Sequence, residues 1–250
     1  MKDKVKPPII YKFVNFKTGV LDILINGNIK FSRPSSFNDP FDCYEELLEY
    51  KLTREDIIKF AKERNFVITE DQINDVFLKN KDSKNEINEL FLEILKGQKD
   101  NTWVSCFSKE YDEILMWSHY AEKHKGICIG FSTYNIENRN LLHVDYVNDF
   151  EKKVVESNSF DVKPYDYWLK TKYIKWSYED EVRVISSNGN EFLQFQKNMV
   201  KEVYFGSEVE YSDIIKTVNN LKKLGYSYTI FYRMLKGNNN FSLSREKIIF

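Results

Sequence analysis

Three ring side chains recur along one predicted helix face: Trp117, Tyr120 and His124. Their i, i+3, i+7 spacing places them on one stripe. An indole, a phenol and an imidazole on one stripe can stack on a planar group and hydrogen-bond its edge. Alternatively, Trp117 and Tyr120 are core residues and His124 is a cation at the negative end of the helix dipole. The pattern predicts either a binding stripe or a buried helix face.

The stripe belongs to a segment, 103–131, that has the pattern strand, helix, strand. Asp112 is a favourable N-cap residue, and Gly126 can adopt the left-handed conformation that ends a helix. We therefore predict a helix from about Asp112 to Gly126. A nucleophilic pair of Cys106 or Cys128 with His119 or His143 stays open, although a cysteine in a buried strand is usually a core residue.

A second chemically informative stretch contains Glu179, Glu181 and Arg183 at alternate positions. In an extended chain these side chains share one face of the strand. A glutamate and an arginine two residues apart predict a ligand clamp or an ion pair; an exposed ion pair is the simpler alternative. The Asn188-Gly189 dipeptide that follows predicts a hairpin.

The segment RPSSFNDPFDC, residues 33–43, combines turn-forming and acidic residues. Asn38 and Asp39 favour a turn in which side chains bond the nearby backbone, and Pro40 keeps Asp39 extended. The segment is either a packed turn, or a turn in which Asn38, Asp39 and Asp42 face a pocket or a metal.

Composition excludes several classes of protein. The formal net charge of −1 over 250 residues gives no electrostatic basis for binding nucleic acid or anionic lipid. Three cysteines without a CxxC pair argue against a disulfide framework or a thiolate zinc site. Because we find neither a signal peptide nor a membrane-spanning apolar run, we expect a cytoplasmic protein without a membrane partner.

The chain contains no Walker loop, GxGxxG, GxSxG or HExxH motif. We therefore expect a site of aromatic residues, a histidine and a glutamate, with no metal.

Periodicity predicts an α+β fold: one domain, 1–250, with a mixed, mostly antiparallel sheet and flanking helices. Residues 45–96 are charged and amphipathic and predict a helical insertion or lid. Its predicted helices are 45–50, 54–65, 70–80 and 84–96.

Several stretches together resemble a known family. IKFSRPSSFNDPFDC, MWSHYAEKHKGICIGF and KWSYEDEVRVI occur in this order. On these motifs the chain is identified as a member of the bacterial domain of unknown function 2971 family over about residues 9–210. Membership of this family implies no established activity. It implies a cytoplasmic bacterial protein, with phage defence or a toxin-like role as its setting.

The opening order of strand, helix, glycine and strand also resembles ADP-ribosyltransferase-like domains, which hold NAD on a split, largely antiparallel sheet. This resemblance implies that Tyr11 or Lys12 contacts the cofactor, that Tyr120 with His119 stacks on nicotinamide, and that Glu181 orients the ribose. The complete predicted site has Glu181 and His119 as catalytic residues. Its NAD-binding residues are Tyr11, Lys12, Arg33, Asn38, Asp39, Trp117, Tyr120, His124 and Arg183.

Three functional hypotheses follow. The first is an enzyme that uses NAD or another nucleotide-type small molecule, as transferase or glycohydrolase, with Glu181 as its essential carboxylate. The second is a non-enzymatic sensor or interaction module in which the FNDPFD turn and the WSHYA helix are buried architecture. The third is a metal-dependent nuclease with converging carboxylates, for which the candidates are Asp39, Asp42, Glu179 and Glu181.

Overall fold

A computed structural model of the chain describes residues 6–51, 58, 67, 69–78, 99–134, 136, 141–156, 163–186 and 189–249. The chain divides into two compact units. The first comprises residues 1–32, 103–146 and 174–250, and the second comprises residues 33–102 and 147–173. The RPSSFNDPFDC turn therefore belongs to the second unit, and the WSHYA helix to the first.

The described helices, apart from the 3-10 segments, are α1 (Thr18–Ile25), which has π-helical hydrogen bonding, α2 (Glu70–Leu78), α3 (Ile114–Tyr120), α4 (Lys163–Lys170) and α5 (Tyr211–Lys223). The strands of the first half of the chain are β1 (Ile9–Val14), β2 (Asn28–Lys30), β3 (Leu48–Lys51), β4 (Val104–Ser108) and β5 (Ile127–Ser132). They are followed by β6 (Leu141–His143), β7 (Asp145–Val147), β8 (Lys153–Glu156), β9 (Thr171–Tyr173) and β10 (Glu181–Ile185). The last strands are β11 (Phe192–Gln194), β12 (Val200–Phe205), β13 (Ile230–Lys236) and β14 (Leu243–Lys247).

The first unit is organised on an eight-stranded sheet of order β14-β13-β12-β5-β1-β4-β10-β6. Strands β12 and β13 are parallel, and the other neighbouring pairs are antiparallel. The α+β class with a mixed, mostly antiparallel sheet is thus confirmed. Because β10 lies beside β4, and β4 beside β1, residues far apart in sequence meet on three neighbouring strands.

Alternation along the strands gives this sheet two buried faces. One face joins strand residues such as Ile10 and Val182 to Leu24 of α1 and Val218 of α5 in one core. The other face packs Phe13, Cys128 and Tyr204 against α3, through Met116, Trp117 and Ala121. Strands covered on both sides read as nearly continuous apolar runs, as ICIGF does in β5.

In the second unit, β3 and β8 form a parallel pair. The predicted helix 45–50 is therefore wrong: a short 3-10 turn, Glu45–Leu47, leads into β3. Hydrogen bonding of β3 to a distant strand overrides the local helix propensity of this glutamate-rich stretch. The predicted helix 70–80 is confirmed as α2, whereas 54–65 (apart from residue 58) and 84–96 lie outside the described residues.

Asn188 of the predicted Asn188-Gly189 turn lies outside the described residues, but the strands before and after it do not form a hairpin with each other. Strand β11, which follows this dipeptide, pairs with β2 and not with β10. Strand β10 is already bonded on its two edges by β4 and β6, so it has no free edge for a hairpin partner.

Candidate functional site

One row of residues crosses five neighbouring strands of the eight-stranded sheet. In the order β12, β5, β1, β4, β10, the row is Glu202, Gly130, Tyr11, Ser108 and Glu181. Direct cross-strand partners point to the same face, so these residues share one face of the sheet. With strands about 4.8 Å apart, the backbones of Tyr11 and Glu181 are separated by about 10 Å. We call this set the five-strand row.

Glu181 forms a buried ion pair with Arg183 at the β10 end of the five-strand row. The Arg183 Nε donates to Oε1 at 2.7 Å, and Nη2 donates to Oε2 at 3.2 Å. The side chains are 3% and 0% exposed. This two-point geometry is the strong form of a carboxylate–guanidinium contact. The predicted partnership of Glu181 with Arg183 is therefore present, and it is not a surface ion pair.

Glu179 does not share the strand face with this pair. It ends the 3-10 segment Ile174–Glu179, and β10 begins only at Glu181. The predicted alternation across all three residues is therefore wrong at its first member. Glu179 is nevertheless buried and accepts a hydrogen bond from Tyr120 Oη at 2.6 Å.

Replacing Tyr120 with Phe removes this hydrogen bond. We expect a loss of about 1–3 kcal/mol in the free energy of unfolding, because a buried carboxylate oxygen loses a donor. Urea unfolding followed by fluorescence measures it. Tyr134→Phe changes a tyrosine that is 89% exposed and is the matched control. Equal stability of the two variants would contradict a contribution from the Tyr120–Glu179 contact.

The two first-strand candidates lie on opposite faces of β1. Tyr11 belongs to the five-strand row, whereas the Lys12 ammonium donates to Ser105 Oγ at 2.9 Å and lies 4.9 Å from the Phe107 ring centroid. Burial lowers the pKa of Lys12. Of the two, Tyr11 shares a face with Glu181.

Helix α3 is shorter than predicted. It spans Ile114–Tyr120 with Glu113 as N-cap, and Glu122, Lys123 and His124 follow it with positive φ. The predicted start near Asp112 is one residue from the observed N-cap, whereas the predicted end at Gly126 is wrong, and the three-residue stripe is broken before His124.

Trp117 is completely buried, and its Nε1 donates to the Tyr111 carbonyl at 2.7 Å. The His124 ring stacks on the indole at 6.2 Å, and its Nε2 lies 3.2 Å from Ser118 Oγ. Burial lowers the pKa of His124, which favours the neutral imidazole over a helix-end cation. In this conformation the indole faces belong to the core, which leaves Tyr120 and the exposed His119 as the rings of α3 nearest to solvent.

The two cysteines of the central strands are free thiols: Cys128 is a buried core residue, and Cys106 is only partly buried. Burial is the main cause that raises the pKa of both Cys106 and Cys128. Cys106 lies opposite Arg183, next to the five-strand row. A raised pKa disfavours the thiolate, so neither residue has the character of an activated nucleophile.

A cluster of four tyrosines, Tyr11, Tyr111, Tyr204 and Tyr232, lies around Glu202 at the other end of the five-strand row. We call it the tyrosine cluster; of its members, only Tyr11 is a site residue predicted from the sequence. Glu202 Oε2 accepts hydrogen bonds from Tyr11 Oη at 3.1 Å and from Tyr204 Oη at 2.8 Å. Gly130 lies between the strands that carry them; a Cβ there would be 3.1 Å from the Tyr11 ring. A glycine at this position lets the Tyr11 ring cross β5 to reach Glu202.

Arg245 of β14 completes this cluster. Its Nη1 donates to Tyr204 Oη at 2.7 Å, and its guanidinium lies 4.7 Å from the ring of Tyr232 and 5.0 Å from that of Tyr111. Burial raises the pKa of Tyr11 and Tyr204 above the usual tyrosine range. The alternation of Glu202 with Tyr204 in VKEVYF was a detectable signal, but only the strand order brings them to Tyr11.

The remaining predicted residues, Arg33, Asn38 and Asp39, belong to the second unit, where Arg33 and Asn38 are exposed. The expected turn is present: Asp39 Oδ1 accepts a hydrogen bond from the Phe41 amide at 2.9 Å. Asp42 is buried and pairs with Lys172 at 3.3 Å. The predicted cofactor residues are thus distributed over both units.

Within the part of the chain that the structure describes, no three His, Cys, Asp or Glu residues are grouped to hold a metal ion. Two of the four carboxylates named for a nuclease, Asp39 and Asp42, belong to the second unit, and the other two to the first. The metal-dependent nuclease stays a prediction. Among the same described residues, no helix has the length and apolar character to cross a bilayer.

Comparison with known proteins gives one match. Residues 116–184 match the model of a family described as "Protein of unknown function (DUF2971)". No curated protein and no solved structure matches the chain. The matched segment runs from α3 to β10 and includes Tyr120, Glu179, Glu181 and Arg183. Over this segment the chain is similar to the DUF2971 family of proteins of unknown function, which is the family that its motifs predict.

Proposed function

We propose that this protein is a cytoplasmic enzyme that uses NAD, as an ADP-ribosyltransferase or NAD glycohydrolase, with Glu181 as its essential carboxylate. The observation that carries the proposal is the five-strand row. It aligns a polar first-strand residue, Tyr11, with Ser108 of the central strand and with a late-strand glutamate, Glu181. The resemblance to ADP-ribosyltransferase-like domains implies the first and the last of these positions. The middle position that it implies is Tyr120, which lies on α3 and not in the row.

The chemistry follows from the charge that develops in the reaction. When the bond between ribose C1′ and the nicotinamide nitrogen breaks, its electron pair leaves with nicotinamide and the ribose becomes oxocarbenium-like. A carboxylate held beside the ribose stabilises this positive charge. An aromatic side chain such as Tyr120 would hold the leaving ring in place. Water or an acceptor nucleophile then bonds to C1′, and no metal is required.

The proposed reaction requires NAD to reach Glu181, which is buried. Both carboxylate oxygens are bonded to Arg183. The structure contains a cavity in the second unit, lined by Phe41 and Tyr44, and another in the first unit, lined by His124 and Lys236. Neither cavity is lined by Glu181 or Tyr120. Binding of a ribose hydroxyl to Glu181 must therefore displace part of the ion pair. We expect NAD to increase hydrogen exchange of the β10 amides in a productive complex.

A second candidate function rests on the same burial. A non-enzymatic sensor or interaction module would keep Trp117, Glu179 and the Glu181–Arg183 pair as internal architecture, and all four side chains are less than 5% exposed. This candidate predicts an intact fold with no turnover.

Nicotinamide release from NAD, measured chromatographically, tests the proposal. We expect release by the purified protein and NAD binding by calorimetry. If the folded protein neither releases nicotinamide nor binds NAD, the enzyme proposal is wrong and the interaction module is favoured. Binding without release would also contradict the proposed reaction and identify an NAD sensor.

A further inference from the structure

The second unit contains a cavity of about 290 Å³ that the proposed NAD chemistry does not use. Its walls come from the FNDPFDC turn, from residues 147–150 and from strand β9. Four aromatic rings line it: Phe41, Tyr44, Phe150 and Tyr173. Its volume is at the lower end of the range for small-molecule sites.

Three of these rings form consecutive walls that meet at steep angles. Phe41 and Tyr44 have centroids 5.4 Å apart and ring planes inclined at 69°. Tyr44 and Phe150 have centroids 6.2 Å apart and planes inclined at 80°. A flat base is held best between parallel rings, whereas rings at steep angles surround a compact group on several sides.

The same rings remain accessible to solvent. Phe41 is 63% exposed, Phe150 is 42% exposed and Tyr173 is 46% exposed. Large apolar side chains gathered around a concavity, and not scattered singly, indicate a binding surface.

The charges around this cavity leave one carboxylate available. Asp42 and Lys172 neutralise each other as a pair, with side chains 5% and 7% exposed. Asp39 also lines the cavity, and its Oδ1 accepts the Phe41 amide hydrogen bond. Its second oxygen has no hydrogen-bond partner among the described residues. Aromatic faces and an available carboxylate both attract positive charge.

We propose that this cavity binds a small organic cation of the alkylated ammonium type, free in solution. The cation lies against the faces of Phe41, Tyr44 and Phe150, with Asp39 as its counter-charge. Ring faces carry the negative part of the aromatic quadrupole, so they replace part of the water that the cation loses. The FNDPFD motif then has a role of its own, since it supplies both Asp39 and Phe41.

Calorimetry of the full chain with choline tests this proposal, with 3,3-dimethylbutan-1-ol as a neutral probe of the same shape. We expect saturable binding of choline with a Kd of about 1 mM or tighter, and at least tenfold weaker binding of the alcohol. Asp39→Asn keeps an oxygen for the Phe41 amide but removes the charge. Phe41→Leu keeps an apolar side chain but removes the ring. Each should weaken choline binding by roughly three- to thirtyfold.

Phe192→Leu is the matched control, because Phe192 is 52% exposed on β11 and does not line the cavity. It should leave choline affinity unchanged. Equal affinity for choline and the neutral alcohol would overturn the proposal and leave an apolar pocket. Binding of adenosine but not choline would reassign the cavity to flat bases, and absence of choline binding by the folded protein would also overturn it. None of these outcomes depends on Glu181 or on NAD turnover.

Discussion

Replacing Glu181 with Gln is expected to lower the rate of nicotinamide release from NAD by at least about 100-fold. The substitution preserves size and leaves an oxygen that can accept from Arg183, but it removes the negative charge. Groups that stabilise charge developing in a transition state contribute factors of about 100 to 1,000 when they are removed singly. The rate is measured at saturating NAD, so that a change in affinity is not mistaken for a change in turnover.

Two controls separate this chemical role from loss of structure. Glu191→Gln changes an exposed carboxylate whose ion pair with Lys30 is at the surface, and it should retain full activity. The double variant Glu181→Gln/Arg183→Met leaves no charge on this pair, so it should fold well and still be inactive. A folded Glu181→Gln protein with the wild-type rate would remove Glu181 from the reaction, whatever the protein does with NAD.

Replacing Arg183 alone with Met is expected to cost about 3–5 kcal/mol of unfolding free energy. Arg183 has no exposed surface, and its guanidinium bonds both oxygens of Glu181. Removing one partner of a buried ion pair leaves the other charge in a poorly solvated site, whereas removing both charges is far less costly. Unfolding in urea, monitored by circular dichroism, measures the difference.

The double variant completes a thermodynamic cycle for the Glu181–Arg183 pair. We expect it to be more stable than Arg183→Met, with an interaction energy of about 1–3 kcal/mol between the two positions. If the loss of unfolding free energy in the double variant instead equals the sum of the losses in the two single variants, the contact between Glu181 and Arg183 does not stabilise this part of the sheet. The cycle therefore measures the architectural role of Glu181 independently of any enzymatic one.

Local sequence patterns correctly predicted those helices and strands that are determined by contacts between residues close in sequence. The strands β1, β5 and β12 and the helices α1 and α5 follow their own periodicity. The shared strand face of Glu181 and Arg183 also follows from alternation alone, whereas their burial does not. The end of α3 did not follow, because three non-glycine residues with positive φ, Glu122 to His124, replace the last turn that the sequence predicts.

Candidate residues were found where a motif gathered polar and aromatic side chains, as in FNDPFD and WSHYA. The tyrosine cluster was missed because its members are spread over the chain: Tyr11 is on β1, Glu202 on β12 and Arg245 on β14. The aromatic cavity was missed for a similar reason. Phe41 and Phe150 are more than 100 positions apart, and no local pattern links them.

By itself the sequence determined the resemblance to the DUF2971 family, the α+β class and the presence of Glu181 and Arg183 on one face of β10. These depend on residue type and on spacing within a few positions. Only the tertiary structure decided that Tyr11, Ser108 and Glu181 lie in register, and that Lys12 points to the opposite face. It also decided that Trp117 is core and that the FNDPFD turn forms a cavity wall. The physical reason is that strand order is set by the collective burial of two sheet faces. This burial depends on all strands together, so the sequence of a single segment does not determine it.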